Sequence, residues 1–250
     1  MILCITHSCH MNCSHCMIDA TPNGKHMSFA VLNQALAKIV EWQPLVILIS
    51  GGEPTDHPQF FEFMNQIQYV LSNSMNARPW IPVEKRLMVI SNGMFTQSPN
   101  WENEYGILPY LWQIVNDPKY YPISIPDPQH HNIEYFDNIP GNLFPAGRAP
   151  ANHGPIAPRG PFCGNLRNLI RNHNMSLAEA MDVLQGFGKS CVPTIQPDGT
   201  IRLGETPSCY SIGSVHDTED QIRQNILNMK CNACGLYDFQ PVSVRRLVGE

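Results

Sequence analysis

The sequence predicts an α/β fold, in which short apolar strands alternate with amphipathic helices. Continuous apolar runs stop at glycine or polar residues, as in Leu45-Val46-Ile47-Leu48-Ile49-Ser50 before Gly51-Gly52, the pattern of a strand buried on both faces. The segments between such runs carry apolar residues at helical spacing. Repeated alternation of the two argues for a parallel sheet with right-handed crossovers. With 250 residues the chain can bury one barrel-like domain, or one domain and a small companion.

Met1 to Thr6 reads as the first strand, and a cysteine-rich loop follows it. Ser28 caps a helix over Phe29 to Trp42, with Val31, Leu32, Leu36, Ile39 and Val40 at helical spacing. Pro44 ends it before the second strand at 45–50. A second helix covers about Pro58 to Leu71, and Leu87-Met88-Val89-Ile90-Ser91 forms a third strand. An irregular helix is expected between Trp101 and Val115, then a fourth strand at Tyr121 to Ile125, whose Pro122 suits a strand start. From Pro140 to Pro161 the density of proline and glycine excludes helix; Leu143, Phe144, Arg148 and Ile156 within it favour an ordered coil. Ser176 caps a further helix with Leu177, Ala180, Met181 and Leu184 on its apolar face. Cys191 to Leu203 reads as a hairpin turning at Pro197-Asp198-Gly199, and a last helix from Asp217 to Met229 leads to Cys231 and Cys234.

A net charge of -5 with scattered lysines and arginines provides no basic patch to track a phosphate backbone, so no nucleic-acid partner is expected. There is neither a long apolar span nor a secretion signal. No membrane association is expected, and the reading is cytoplasmic. Nine cysteines in a reducing compartment point to metal rather than to disulfides. They fall into an opening triad, Cys9, Cys13 and Cys16, and a later set, Cys191, Cys209, Cys231 and Cys234, with Cys4 and Cys163 outside both.

The triad's Cys-x3-Cys-x2-Cys spacing places three thiolates on one tight loop after a strand's carboxyl end. An iron-sulfur cube normally takes four cysteines, so three leave one iron open. A zinc site is the competing reading for such a triad. The run, together with Gly51-Gly52-Glu53-Pro54 after the second strand, resembles the radical S-adenosylmethionine (SAM) superfamily. The resemblance implies a partial (β/α)6 TIM-like barrel and a [4Fe-4S] cluster whose open iron chelates SAM. It implies Glu53 as acceptor for the SAM amino group, with Gly51 and Gly52 allowing close backbone approach. By the same resemblance Asn92 in Ser91-Asn92-Gly93, and Ser124 with Asp127, line the methionine and ribose parts of SAM, and Arg148 lies near its carboxylate; turn or surface use is the ordinary alternative for each. His15 stands where the family prefers an aromatic residue before the third cysteine.

The later cysteine set, with Gly204 preceding Cys209 in a Gly-x4-Cys pattern, resembles the Twitch domain, a shortened SPASM extension holding one auxiliary [4Fe-4S] cluster. A four-cysteine zinc ribbon is the structural alternative. The expected organisation is a radical SAM core over 1–162, a helical connector over 163–190 and a hairpin-plus-helix cluster-binding domain over 191–250. The chain stops short of the further cysteines that a full SPASM domain carries.

The implied activity is reductive cleavage of SAM to a 5'-deoxyadenosyl radical that abstracts a substrate hydrogen, the auxiliary cluster serving electron transfer. The cofactor does the hard chemistry and the protein binds, orients and excludes water. Cys163 is read as a hydrogen-atom donor to a substrate radical, against the commoner fate of a buried cysteine as a small hydrophobe. The expected substrate is a ribosomal or peptide-like natural product that is epimerised, oxidised or crosslinked. A small molecule such as an aminoglycoside, dehydrogenated or epimerised, is the alternative, and the near-immediate start of the first strand weakens a leader-guided peptide reading. A flavodoxin- or ferredoxin-type protein would donate electrons. A non-catalytic iron-sulfur or zinc-binding protein is the reading from another class.

Overall fold

The computed structural model describes residues 1–10, 18–75, 86–91, 169–171, 173–180, 193–204 and 209–229. Its centre is a six-stranded sheet in the order β3-β2-β1-β4-β5-β6. The strands are β1 (Ile2–Thr6), β2 (Ile47–Gly51), β3 (Leu87–Val89), β4 (Pro193–Ile195), β5 (Thr200–Leu203) and β6 (Ser211–Ser214). β3, β2, β1 and β4 are mutually parallel, and β5 and β6 join antiparallel. The described part is therefore mixed α/β, with the parallel core that the alternating pattern predicts.

Helix α1 (Phe29–Trp42) forms where its pattern places it: the Ser28 side chain accepts from the Val31 N–H, and the apolar stripe Leu32, Leu36, Ile39 is buried. Its end is a left-handed Gln43 (φ 47°) followed by Pro44, which cannot continue a helix. Helix α2 (Phe60–Ser74) buries Phe63, Met64, Ile67 and Leu71. Helix α3 (Glu219–Asn228) starts with a capping box between Thr218 and Gln221. These stripes join Leu3, Ile5, Ile47, Ile49, Val89, Ile195, Ile201 and Ile212 in one core. Each such side chain, fully buried, contributes about 1.5–3 kcal/mol relative to exposure.

Successive strand residues face opposite sides of a sheet, and the two sides differ. Leu3 and Ile5 belong to the apolar core with the helices, whereas the alternate residues Cys4 and Thr6, with Ser50 and Thr194, are buried polar or thiol-bearing side chains outside that core. One face of the sheet is thus apolar, while the other carries these polar and thiol groups together with Ile2 and Leu48.

The hairpin turns where predicted: Gly199 N–H donates to Gln196 O at 2.9 Å, and Thr200 N–H to the Asp198 carboxylate at 3.0 Å. Burial pushes the Asp198 pKa up, but the Thr200 hydrogen bonds and the nearby Lys25 and Arg202 charges hold it below the usual range. The hairpin pairs with the first strand: Ile2 is level with Thr194 and Leu3 with Ile195. One hydrogen-bonded sheet therefore runs across the expected boundary between 1–162 and 191–250. Strand β6 is an element the sequence pattern did not announce.

Candidate functional site

The carboxyl ends of β1, β2 and β3 meet, and the candidate site is built where they do. Past β1, residues His7 to Cys9 are laced on both sides. On one side His7 N–H donates to Lys25 O at 2.7 Å and Cys9 N–H to Thr21 O at 3.0 Å. On the other, Gly52 N–H donates to Thr6 O at 2.8 Å and Glu53 N–H to Ser8 O at 2.7 Å. The Thr6 hydroxyl adds an acceptor for Ser8 N–H at 2.9 Å and lies 2.8 Å from His26 Nδ1. Cys9, at the root of the triad loop, is buried beside Ile18 and Ala20. The backbone that presents it is fixed before the loop begins.

Both glycines of the Gly-Gly-Glu turn are demanded by this lacing. Gly51 has φ +146°, and a Cβ there would fall 2.1 Å from Thr6 O. At Gly52 a Cβ would fall 2.0 Å from Ser8 O and 3.1 Å from Cys9 Cβ. Separations below 3.0 Å against backbone leave no room for any side chain, so the two turns can touch only through glycine.

Glu53 follows directly and is 1 % exposed. Its Oε1 accepts from Thr55 Oγ1 at 2.7 Å, Ser91 Oγ at 2.8 Å and Thr55 N–H at 3.2 Å. Pro54–Asp56 form a single 3-10 turn that bends Thr55 back onto the carboxylate, while Ser91 arrives from just past β3. A buried carboxylate is tolerable only when hydrogen-bonded, and this one is held by donors from two strand ends. At the rim, His10 Nδ1 lies 2.7 Å from Asp56 Oδ2, joining the residue after Cys9 to the turn after Glu53.

Thr55, Asp56 and His10 are contributors that motif reading passed over, and Ser91 entered it only as the first residue of Ser91-Asn92-Gly93, because hydroxyl and acidic residues at strand ends most often serve turns. Gln196 is another. It is 4 % exposed and its Oε1 lies 2.9 Å from His7 Nε2, while its Nε2 has no hydrogen-bond partner among the described residues. No local signal in the hairpin sequence announces this reach to the cysteine-loop root.

Of the residues singled out from sequence, the structure brings Cys9, Gly51, Gly52 and Glu53 together. Cys209 lies elsewhere. Leu203 N–H donates to Tyr210 O at 2.9 Å, and a Cβ on Gly204 would fall 2.6 Å from Cys209 Sγ, so Cys209 packs against the end of β5. Leu203 pairs with Pro193, which precedes the Thr194 level with Ile2. Cys209 is therefore at the amino end of β1, opposite Cys9. Cys13, Cys16, Asn92, Ser124, Asp127, Arg148, Cys163, Cys191, Cys231 and Cys234 lie outside the described residues. None of the described cysteines is in a disulfide. No described helix is long and apolar enough to cross a membrane.

Residues 3–104 match the family model of the Radical SAM superfamily. The matched segment contains the triad, the Gly-Gly-Glu turn and Ser91, and the match supports SAM-dependent iron-sulfur enzyme chemistry. No curated protein matches the chain.

Proposed function

We propose, from the radical SAM match over residues 3–104, that this protein is an enzyme holding a [4Fe-4S] cluster on Cys9, Cys13 and Cys16 and binding SAM at the open iron. When bound, the pair supplies one-electron cleavage of the sulfonium bond and a 5'-deoxyadenosyl radical that abstracts hydrogen from substrate. The observation that carries the reading is the direct lacing of the Glu53 turn to the root of the Cys9 loop, through Gly52 N–H to Thr6 O and Glu53 N–H to Ser8 O.

The chain's own residues fit these groups. Gly51 and Gly52 let two backbone turns approach without side chains between them. Glu53 offers a buried, oriented carboxylate to an ammonium group, where a charge-assisted hydrogen bond is strong. Asn92, Ser124, Asp127 and Arg148 are proposed as the remaining SAM contacts. The polar and thiol side chains of Cys4, Thr6, Ser50 and Thr194 on one sheet face suit the interior of a partial (β/α)6 barrel that receives polar ligands at its strands' carboxyl ends.

For the later set, Cys191, Cys209, Cys231 and Cys234, the reading is a Twitch-type auxiliary [4Fe-4S] cluster. Its support is the resemblance of this four-cysteine spacing to that domain; Cys209 itself lies at the opposite end of β1, on the order of 17 Å from the triad's end of the sheet at about 3.3 Å per strand residue. Two clusters would then flank the sheet from end to end, with substrate between them and an external flavodoxin- or ferredoxin-type donor. The substrate class proposed is a peptide or peptide-like natural product that is epimerised, oxidised or crosslinked, with Cys163 as hydrogen donor if the outcome is epimerisation.

Metal analysis after anaerobic reconstitution with iron and sulfide tests the cluster assignment. About eight irons per chain are expected for two four-iron clusters, falling to about four in Cys209→Ala. Zinc retained at the later cysteines, with about four irons, would remove the auxiliary cluster and leave the SAM centre standing.

A further inference from the structure

We propose that Thr55 and Ser91 are positioning residues for Glu53, two hydroxyls that fix the plane of its carboxylate for the ammonium group of SAM. The inference rests on the reading of Glu53 given above, and goes beyond it by naming what aims the carboxylate.

The terminal torsion of a glutamate is soft, with a broad distribution rather than sharp wells. At Glu53 that freedom is removed. Its backbone N–H is bonded to Ser8 O at 2.7 Å, and Oε1 accepts from Thr55 Oγ1 at 2.7 Å, Thr55 N–H at 3.2 Å and Ser91 Oγ at 2.8 Å. The Thr55 donors come from the same turn. Ser91 comes from beyond β3, itself 4 % exposed. Donors arriving from two separate strand ends on one oxygen fix where the other oxygen points. Hydrogen bonds to a charged group are roughly twice as strong as neutral ones, so each hydroxyl holds the carboxylate firmly, and in a water-excluded site small misplacements of a binding group are costly.

A merely structural role for the hydroxyls would show in folding and cluster loading; a positioning role shows in SAM affinity and acts through Glu53. The test is the dissociation constant of SAM for the anaerobically reconstituted full chain, by calorimetry, with iron content and melting temperature measured on each variant. Thr55→Val and Ser91→Ala are expected to weaken SAM binding about tenfold each, as for loss of a hydrogen bond to a charged group, with iron content and melting temperature near wild type. Thr55→Ser, which keeps the hydroxyl, restores affinity. In a Glu53→Gln background, itself weakened, Thr55→Val has little further effect, the non-additivity expected when one residue acts through another. Wild-type affinity in Thr55→Val, a loss that adds in full to that of Glu53→Gln, or a loss that follows iron content overturns the proposal. If Glu53→Gln binds SAM as tightly as wild type, or wild type binds none, the reading of Glu53 fails and the proposal with it. Weakening by Glu53→Gln alone overturns only the positioning role.

Discussion

His57 shows how burial sets the chemistry of a single residue next to the Glu53 turn. Its Nε2 lies 2.9 Å from Met27 O, and its Nδ1 accepts from Gln59 N–H at 3.1 Å, an arrangement that suits the neutral ring with the proton on Nε2. Burial pushes its pKa below the ordinary 6.5; the Met27 bond opposes this, the His26 ring reinforces it and Glu62 opposes it. The unfolded chain therefore takes up a proton at His57 more readily than the folded one. Below about pH 6.5 that uptake favours unfolding, and above it His57 contributes no pH dependence. The melting temperature is expected to fall between about pH 7 and pH 5.5, and to fall less in His57→Gln; equal slopes in the two proteins would contradict this. Residues of this scale were unevenly legible. Glu53 stood out through the family resemblance, because Gly-Gly-Glu-Pro follows the second strand one helix after the cysteine triad. Thr55 and Ser91 did not, because nothing local says which carboxylate a turn hydroxyl will reach. Gln196 meets His7 across 189 positions of chain, a contact fixed only by strand pairing.

Elements with a local cause could be read from sequence. The bounds of α1 follow from the Ser28 cap, the 3.6-residue stripe and Pro44, and the hairpin turn follows from Pro197-Asp198-Gly199. Strand β6 could not be read: in Ser211-Ile212-Gly213-Ser214 only Ile212 is buried, and its pairing with β5 supplies what its own propensity lacks. Arg86 illustrates the same dependence on partners. It is fully buried just before β3 and donates to the carbonyls of Gln43, Pro44 and Leu45, which turn the chain from α1 into β2. Its charge also suits the negative end of the α1 dipole. Arg86→Ala is expected to lower unfolding free energy by roughly 3 kcal/mol in denaturant titrations, since buried acceptors lose a charged donor. Arg86→Lys should recover less than half of this, lacking the planar fork; a loss below about 0.5 kcal/mol in Arg86→Ala would contradict the account.

For the whole molecule, the sheet order places β1 between β2 and β4, so the strand that leads to the cysteine triad depends on a hairpin from the far end of the chain. Sequence pattern indicated the hairpin but not its partner, because pairing at this separation leaves no local mark. Ending the chain after residue 190 would expose the edge of β1, a template for association. Such a chain is expected to aggregate, without the cooperative unfolding of the full chain; a soluble 1–190 fragment with an unchanged melting temperature would show instead that β4 is dispensable. The same sheet leads to Cys9 past one end of β1 and has Cys209 near the other. The most direct test of the central claim is product analysis after the reduced, reconstituted full chain reacts anaerobically with SAM. 5'-Deoxyadenosine and methionine are expected in equal amounts, both lost in Cys9→Ala. A wild-type chain that carries its four-iron cluster and forms neither product would contradict it.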